Sequence, residues 1–277
     1  MAQNLQLLKR RIKSAQSIAQ ISKAMEMISA SKIKKAQNAV LNNKPYAEKI
    51  TEYAQTLLTN IDIKKYTHPY LEMKEGKTLS ILVSPDKGLC GSLNTNIFKK
   101  ILDLPDLENM LLVTVGKKAE QFCARLKSER VSHFPMGTTL PSYRLVYEII
   151  ETINSYYDSK TISRVQLLFT KFNSVFFQEI VVVPLLPIVI PDQKTESKYI
   201  FEPDMNTLLK DLLPHYLEIL LYNALLEAHT SEQAARMVAM QNAKNNALDI
   251  ADYLTLSYNK SRQERITSEI LILSSNI

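Results

Sequence analysis

Tryptophan is absent from this 277-residue chain, and cysteine, histidine and glycine are scarce, at two, four and five residues. Each shortage removes a class of function. Cys90 and Cys123 are too few for a disulfide scaffold and fit a reducing compartment. His68, His133, His215 and His229 show no metal-ligand spacing and no cysteine pair nearby, so no metal centre is expected. No run of 18 apolar residues occurs, which argues against a membrane span. The opening residues, MAQNLQLLKRRIKS, lack the apolar core and cleavage site of an export signal. Their Arg-rich amphipathic character could mimic a mitochondrial presequence, but the pattern continues unbroken into a much longer helix.

The glycines present are as informative as those missing. Gly76, Gly88, Gly91, Gly116 and Gly137 all fall between residues 76 and 137. Glycine supplies the turns of a folded domain, so both ends of the chain read as long helical rods around a folded middle. In the first rod Leu5, Leu8, Ile12, Ala15, Ala19 and Ser22 step by 3 and 4, and Ile18, Ile21, Met25 and Ile28 form a parallel line. Both lines read as seams for a partner helix. Pro45 is expected to end or kink this rod, with a second helical pattern through Tyr46, Ile50, Tyr53 and Leu57.

The last rod begins near Asn206, with Pro214 expected to bend its first turns. From His215 to Ile277 no Pro or Gly intervenes. A helix of that length spans on the order of 95 Å, against roughly 48 Å for a compact globule of this size, so it is expected to protrude. Thr230–Gln233 matches a capping box that could restart a helix there. Met240, Ala243, Ala247, Ile250 and Leu254 form a narrow seam that suits the N-terminal rod, running antiparallel. Within it, Ser231–Ala247 has few large apolar residues, so its polar faces, Arg236 among them, are expected to point outward. Beyond Asn259–Arg265, which has no apolar residue, Ile266, Ile270, Leu273 and Ile277 resume a stripe at the tip. Exposed apolar residues there call for a surrounding protein surface.

Between the rods the period changes. Lys77–Ser84 and Asn109–Gly116 are short apolar runs typical of buried parallel strands, each followed by a helical pattern, near 92–102 and 117–127. Arg130–Pro135 reads as a further strand before a helix at about 142–157. Residues 164–187 read as two strands joined at Asn173–Ser174 in a hairpin. The expected division is therefore a rod over 1–60, a small Rossmann-like α/β domain over 76–190 and a long C-terminal helix over 206–277, the two rods pairing as an antiparallel coiled coil.

Charge is concentrated. Residues 1–44 carry nine basic side chains against a single acid, Glu26, a balance of +8 in a chain whose net charge is +6. Such a segment expects phosphates, lipid headgroups or carboxylates of another protein. Lys32, Lys34 and Lys35, with Arg10 and Arg11, could bind nucleic acid, an acidic protein or only solvent; interleaved aromatics and glycines are missing. Ser84–Asn96, SPDKGLCGSLNTN, follows a strand and opens a helix as phosphate loops do. It matches neither phosphate-binding pattern, having only Gly88-x-x-Gly91, and reads first as a Pro-Asp turn and helix start. Nucleotide binding and a nucleophilic Cys90 are the alternatives, although no His/Asp constellation stands ready to activate a thiol.

Three blocks, ISKAMEMISASKIKKAQ (21–37), DKGLCGSLNTN (86–96) and SEQAARMVAMQNAKNNA with LSYNKSRQERITSEI (231–247 and 256–270), resemble the gamma subunit of F-type ATP synthases. They occur in the family's order, and the resemblance covers essentially the whole chain. It implies a non-catalytic central rotor shaft without cofactor, whose coiled coil enters a hexamer of alpha and beta subunits. Rotation would couple transmembrane proton or sodium flow to ATP synthesis or hydrolysis at the beta subunits, while the foot binds epsilon and the ring of c subunits. By motif, Met25 matches a methionine facing the beta subunit's acidic lever loop, and Arg236 an arginine near it. Arg262 and Gln263 match a pair contacting a beta loop, and Thr267 and Glu269 lie in the upper bearing region. Lys34 and Lys35 supply positive charge where carboxylates push. Gly91-Ser92 departs from the family's usual glycine pair, a change a helix N-cap tolerates, and Glu264 stands where the family favours a small residue. No chloroplast-type cysteine-containing insertion interrupts the chain, and with no convincing presequence the resemblance favours a bacterial form, expected to be peripheral on the cytoplasmic face of the inner membrane.

Overall fold

In the computed structural model, which describes residues 2–60, 68–72, 75–159, 161–189, 202 and 204–275, the short apolar runs of the middle segment become strands of one sheet. The elements are α1 (Ala2–Thr59), β1 (Lys77–Val83), α2 (Leu93–Leu102), β2 (Leu111–Val115), α3 (Lys117–Cys123), β3 (Glu129–Phe134), α4 (Tyr143–Asp158), β4 (Ile162–Phe172), β5 (Gln178–Leu186) and α5 (Met205–Ser275). The fold is the α/β class expected, with long antiparallel terminal helices and a Rossmann-like sheet in the order β3-β2-β1-β4-β5. The chain divides into two compact units, Met1–Ser31 with Arg236–Ile277, and Lys32–Ala235. Both boundaries fall inside α1 and α5.

In the larger unit, β1, β2, β3 and β4 are parallel and β5 closes the sheet antiparallel to β4. Alternate residues of β1 serve two cores, as the period of a strand requires. Leu79, Ile81 and Val83 join α4 and the α5 residues Leu209, Leu213, Leu217 and Leu221 on one face. Leu82 joins Ile97 and Ile101 of α2 and Ala119 and Cys123 of α3 on the other. A sheet covered on both faces accounts for the nearly continuous apolar runs of β1 and β2. Where β2 turns toward α3, Gly116 has φ +96°, and a Cβ there would lie 1.9 Å from the Ser84 carbonyl oxygen just past β1. Within this unit α1 and α5 also run antiparallel. Asn43 Nδ2 donates to Asn223 Oδ1 at 2.9 Å, while Tyr46, further along α1, meets His215, earlier on α5.

Several expectations change. α1 passes through Pro45 and α5 through Pro214 without ending. The capping box at Thr230 starts no helix. Its hydroxyl instead donates to the Leu226 carbonyl one turn back, at 2.8 Å. α3 stops at Cys123 because the next amides bond three residues back, Arg125 to Phe122 and Leu126 to Cys123, tightening into turns. The β4–β5 loop is wider than two residues and closes through reciprocal bonds between Ser174 and Phe177. In α1, Ala47, Ala54, Leu57 and Leu58 are buried, while Tyr46 and Tyr53 of the expected line are exposed. Of the polar loop expected over 191–204, only residues 202 and 204 lie within the described residues.

Candidate partner-contact surface

The smaller unit inverts the usual placement of side chains. Along α1 the buried positions are Ala15, Ala19, Ser22 and Ser29, at helical spacing. Along α5 they are Arg236, Met240, Ala247 and Ala251. Small residues let two helix backbones come close, and that approach turns the bulkier neighbours outward. The expected second line of α1 is therefore not a seam: Ile18 is 53% exposed, Ile21 61% and Ile28 56%. Ile250 likewise points out at 54%, and Ala251, one residue on and four after Ala247, takes its place. Leu248, Tyr253 and Leu256 are also exposed. Across the pair, Lys244 Nζ donates to Glu26 Oε2 at 2.9 Å. Sequence reasoning missed this bridge, although Glu26, the lone acid among the first 44 residues, was a legible signal.

The expected contact residues of this unit scatter along it. Met25 is half-buried, while Arg262, Gln263 and Thr267 are exposed on the last turns of α5, as is Glu264. The side chain of Glu269 lies outside the described residues, as do those of Leu273 and Ile277 in the apolar tip stripe. Ile266, Ile270 and Leu271 of the tip are exposed. Arg236, expected to face outward, is 7% exposed and has an interaction partner.

In the larger unit Lys34 and Lys35 are exposed. Lys32, from the same basic strip, is used at home: its ammonium donates to the Thr138 carbonyl at 2.6 Å. The polar run before Arg236 is also internal. His229 and Thr230 are buried, and so are Ser231, Glu232 and Gln233, contrary to the outward-facing reading of that stretch. Ser231 Oγ donates to the Thr170 carbonyl of β4 at 3.1 Å, and Ala235 packs on the cluster that holds Cys90 and Leu93. Small and polar residues suit a helix pressed against the end of a strand, where carbonyls still need donors.

That same end of the sheet decides the fate of the phosphate-loop reading. β1 and β4 flank the point where strand order reverses, and ligands in such sheets bind beyond the strands' carboxyl ends. Here α5 docks at that end. Asp86 is committed to the backbone: its carboxylate accepts the amides of Lys117 at 2.8 Å and Gly137 at 2.7 Å. Ser92 is the N-cap residue of α2, but its side chain makes no capping bond, so its tolerance there rests on backbone geometry alone. Cys90 is buried and accepts a bond from Asn94 Nδ2, and burial pushes the Cys123 thiol up to about 11. A raised pKa is the opposite of what a nucleophilic thiol needs, and Cys90 is shut away from solvent. Among the described residues no group of three or more metal-ligating side chains occurs, and no helix is long and apolar enough to cross a membrane.

Comparison with known proteins gives a consistent picture. A family model described as ATP synthase matches residues 4–275. The ATP synthase gamma chain of Dehalococcoides mccartyi is 41% identical over 97% of this chain and 96% of its own length. The ATP synthase gamma chain of Heliobacterium modesticaldum is 38% identical over 95% and 94%. Among solved structures, a rotor chain of the Euglena gracilis mitochondrial ATP synthase matches with a TM-score of 0.72 and 19% identity, covering 96% of this chain and all of that one. At that identity the likeness speaks for the fold.

Proposed function

The chain belongs to the ATP synthase gamma-chain family, and from that premise we propose that it turns as the central shaft of an F-type ATP synthase. It is a non-catalytic subunit of a membrane-associated complex. The observation that carries this reading is the match of nearly the whole chain to gamma chains of nearly the same length. The inverted helix pair supports it: a shaft must keep its helices close while leaving outward surface for a turning partner. On this reading the terminal helices lie within a hexamer of alternating alpha and beta subunits, and the domain over 76–190 with the lower ends of the rods, 1–60 and 206–277, meets epsilon and the c ring. The assembly couples proton or sodium flow to ATP synthesis or hydrolysis, peripheral on the cytoplasmic face of a bacterial inner membrane.

The contact residues take distinct parts in this proposal. Met25, Arg262, Gln263, Thr267 and Glu269 touch the hexamer lining directly. Arg236, being buried, acts by holding its neighbourhood in place. Lys34 and Lys35 are exposed cations that meet carboxylates, and such pairs are individually weak, about 0–1 kcal/mol, so they can break at every step. Reversing both to glutamate tests the assignment in the reassembled complex. ATP-driven ion pumping is expected to fall while the melting temperature of the chain stays put. Unchanged pumping would remove these lysines from the coupling surface.

A further inference from the structure

We propose that the α1 segment around Pro45 and the α5 segment around Pro214 form one compliant joint in the helix pair, latched by the relay Tyr46–His215–Glu218. The two prolines each precede a relay residue: Pro45 stands before Tyr46, and Pro214 before His215. A proline inside a helix supplies no amide to the carbonyl four residues back, so the Leu41 and Lys210 carbonyls lose their usual partners. Each helix is therefore locally weakened, and the cross-helix bond shows that both weak points lie at the same level. The Tyr46 hydroxyl lies 2.5 Å from His215 Nε2, and His215 Nδ1 lies 3.0 Å from Glu218 Oε2. With Nδ1–H donated to the carboxylate, Nε2 accepts the tyrosine proton, and a charge-backed acceptor of this kind makes the stronger bond.

Packing at this level is uneven. α5 is anchored on its inner side, with Leu209, Leu213 and Leu217 buried in the sheet core. α1 has no comparable anchor at this level, since Leu41 and Tyr46 are exposed and the nearest buried positions, Ala36 and Ala47, are alanines. A cavity of about 540 Å³ opens beside the joint, lined by Val40, Lys44, Ala47, Asn223 and Glu227 among others. Two helices that were close-packed here would leave no such space. The arrangement therefore gives α1 room to bend against a fixed α5, with the relay and the Asn43–Asn223 bond holding the rest position. The joint is a property of the helix pair itself. Its bearing on torque rests on the shaft reading, whereas the joint can be tested on the free full-length chain.

Hydrogen exchange followed by mass spectrometry on that chain reads the joint directly. Amides of residues 42–49 and 211–218 are expected to exchange faster than those of the turns on either side. Tyr46→Phe removes one hydroxyl and leaves the sheet core intact, and should speed exchange in both segments roughly fivefold, the worth of one hydrogen bond. Pro45→Ala with Pro214→Ala should slow both segments and blunt the effect of Tyr46→Phe. Acceleration confined to α1 would mean two independent weak points and overturn the joint. No change with either the phenylalanine or the alanine variants would remove the latch or the proline origin of the flexibility, respectively, and either result defeats the proposal.

Discussion

Within the sheet domain, large aliphatic residues are inside: Leu79, Ile81, Leu82, Leu112 and Ile149 have no measurable exposure. In the helix pair of residues 2–31 and 236–275 the buried apolar positions among the described side chains belong to Ala and one Met, joined by Ser22, Ser29 and Arg236, while Ile18, Ile21, Leu248 and Leu256 face out. Fully burying one leucine contributes about 1.5–3 kcal/mol, whereas an alanine contributes a fraction of that. The sheet domain thus carries its own stability. The helix pair keeps apolar surface in reserve for another protein. The same chain uses two opposite rules for where hydrophobic residues go, and the difference separates a fold that stands alone from one completed by assembly.

The comparison breaks most sharply at Gly116. Any Cβ there would collide with backbone at 1.9 Å, and φ +96° is a left-handed conformation that side chains disfavour. Gly116→Ala should therefore cost roughly 4 kcal/mol or more, the range reserved for strained backbone and overpacked cores. Chemical denaturation should show it as a large loss in the sheet domain's transition. A cost under about 1 kcal/mol would mean that β1 and β2 separate there more easily than their register implies.

A second pair of substitutions sharpens the contrast. Ala247→Leu forces bulk between helices that approach on small residues, and should cost about 1–3 kcal/mol by overpacking. Leu256→Ser, on the 71% exposed outward face, should leave the free chain within about 0.5 kcal/mol of its starting stability. It should nevertheless weaken reassembly with alpha and beta subunits, measured by co-purification. If Leu256→Ser melted the free chain as severely as Ala247→Leu, the outward face would be part of a core and the inversion would be wrong.

These two rules also explain what could be read in advance. Strands and their helices were legible because a strand packed on both faces gives a nearly continuous apolar run, as in Lys77–Val83, and a helix packed on one face gives the 3.6-residue period of Tyr143–Asp158. In the helix pair, hydrophobicity misleads, since Ile18 and Ile250 look like seam residues and the alanines beside them are the seam. The polar run His229–Gln233 was opaque for a related reason: the buried hydroxyl of Ser231 finds its acceptor in the carbonyl of Thr170, far away in sequence. The matched motifs singled out Met25, Arg236, Arg262, Gln263 and Thr267 alike, and nothing local in the sequence separates the buried Arg236 from the exposed Arg262, Gln263 and Thr267. Glu26–Lys244 needed only the observation that one acid stands alone in a basic stretch.

The smallest effect concerns a carboxylate that the larger unit buries poorly. Glu227 sits on α5 beside the cavity, with Oε2 shielded from solvent and without a hydrogen-bond partner. Burial raises its pKa above the usual carboxylate range, opposed in part by a backbone bond from Phe172 and the charge of Lys171. A raised acid binds its proton more tightly in the folded chain than in the unfolded one. Its favourable contribution is therefore complete below the unfolded pKa and disappears as pH climbs through the raised folded value. Glu227→Gln keeps the shape and removes the titration, so it should stabilise the larger unit at neutral pH and flatten its stability between pH 4 and 7. Denaturant midpoints of the two chains should converge at pH 4. Curves that instead stay parallel across that range would show the carboxylate to be solvated in both states, and the cavity beside it to be open to water. That outcome would also narrow the contrast between a self-sufficient sheet domain and a helix pair that waits for its partner.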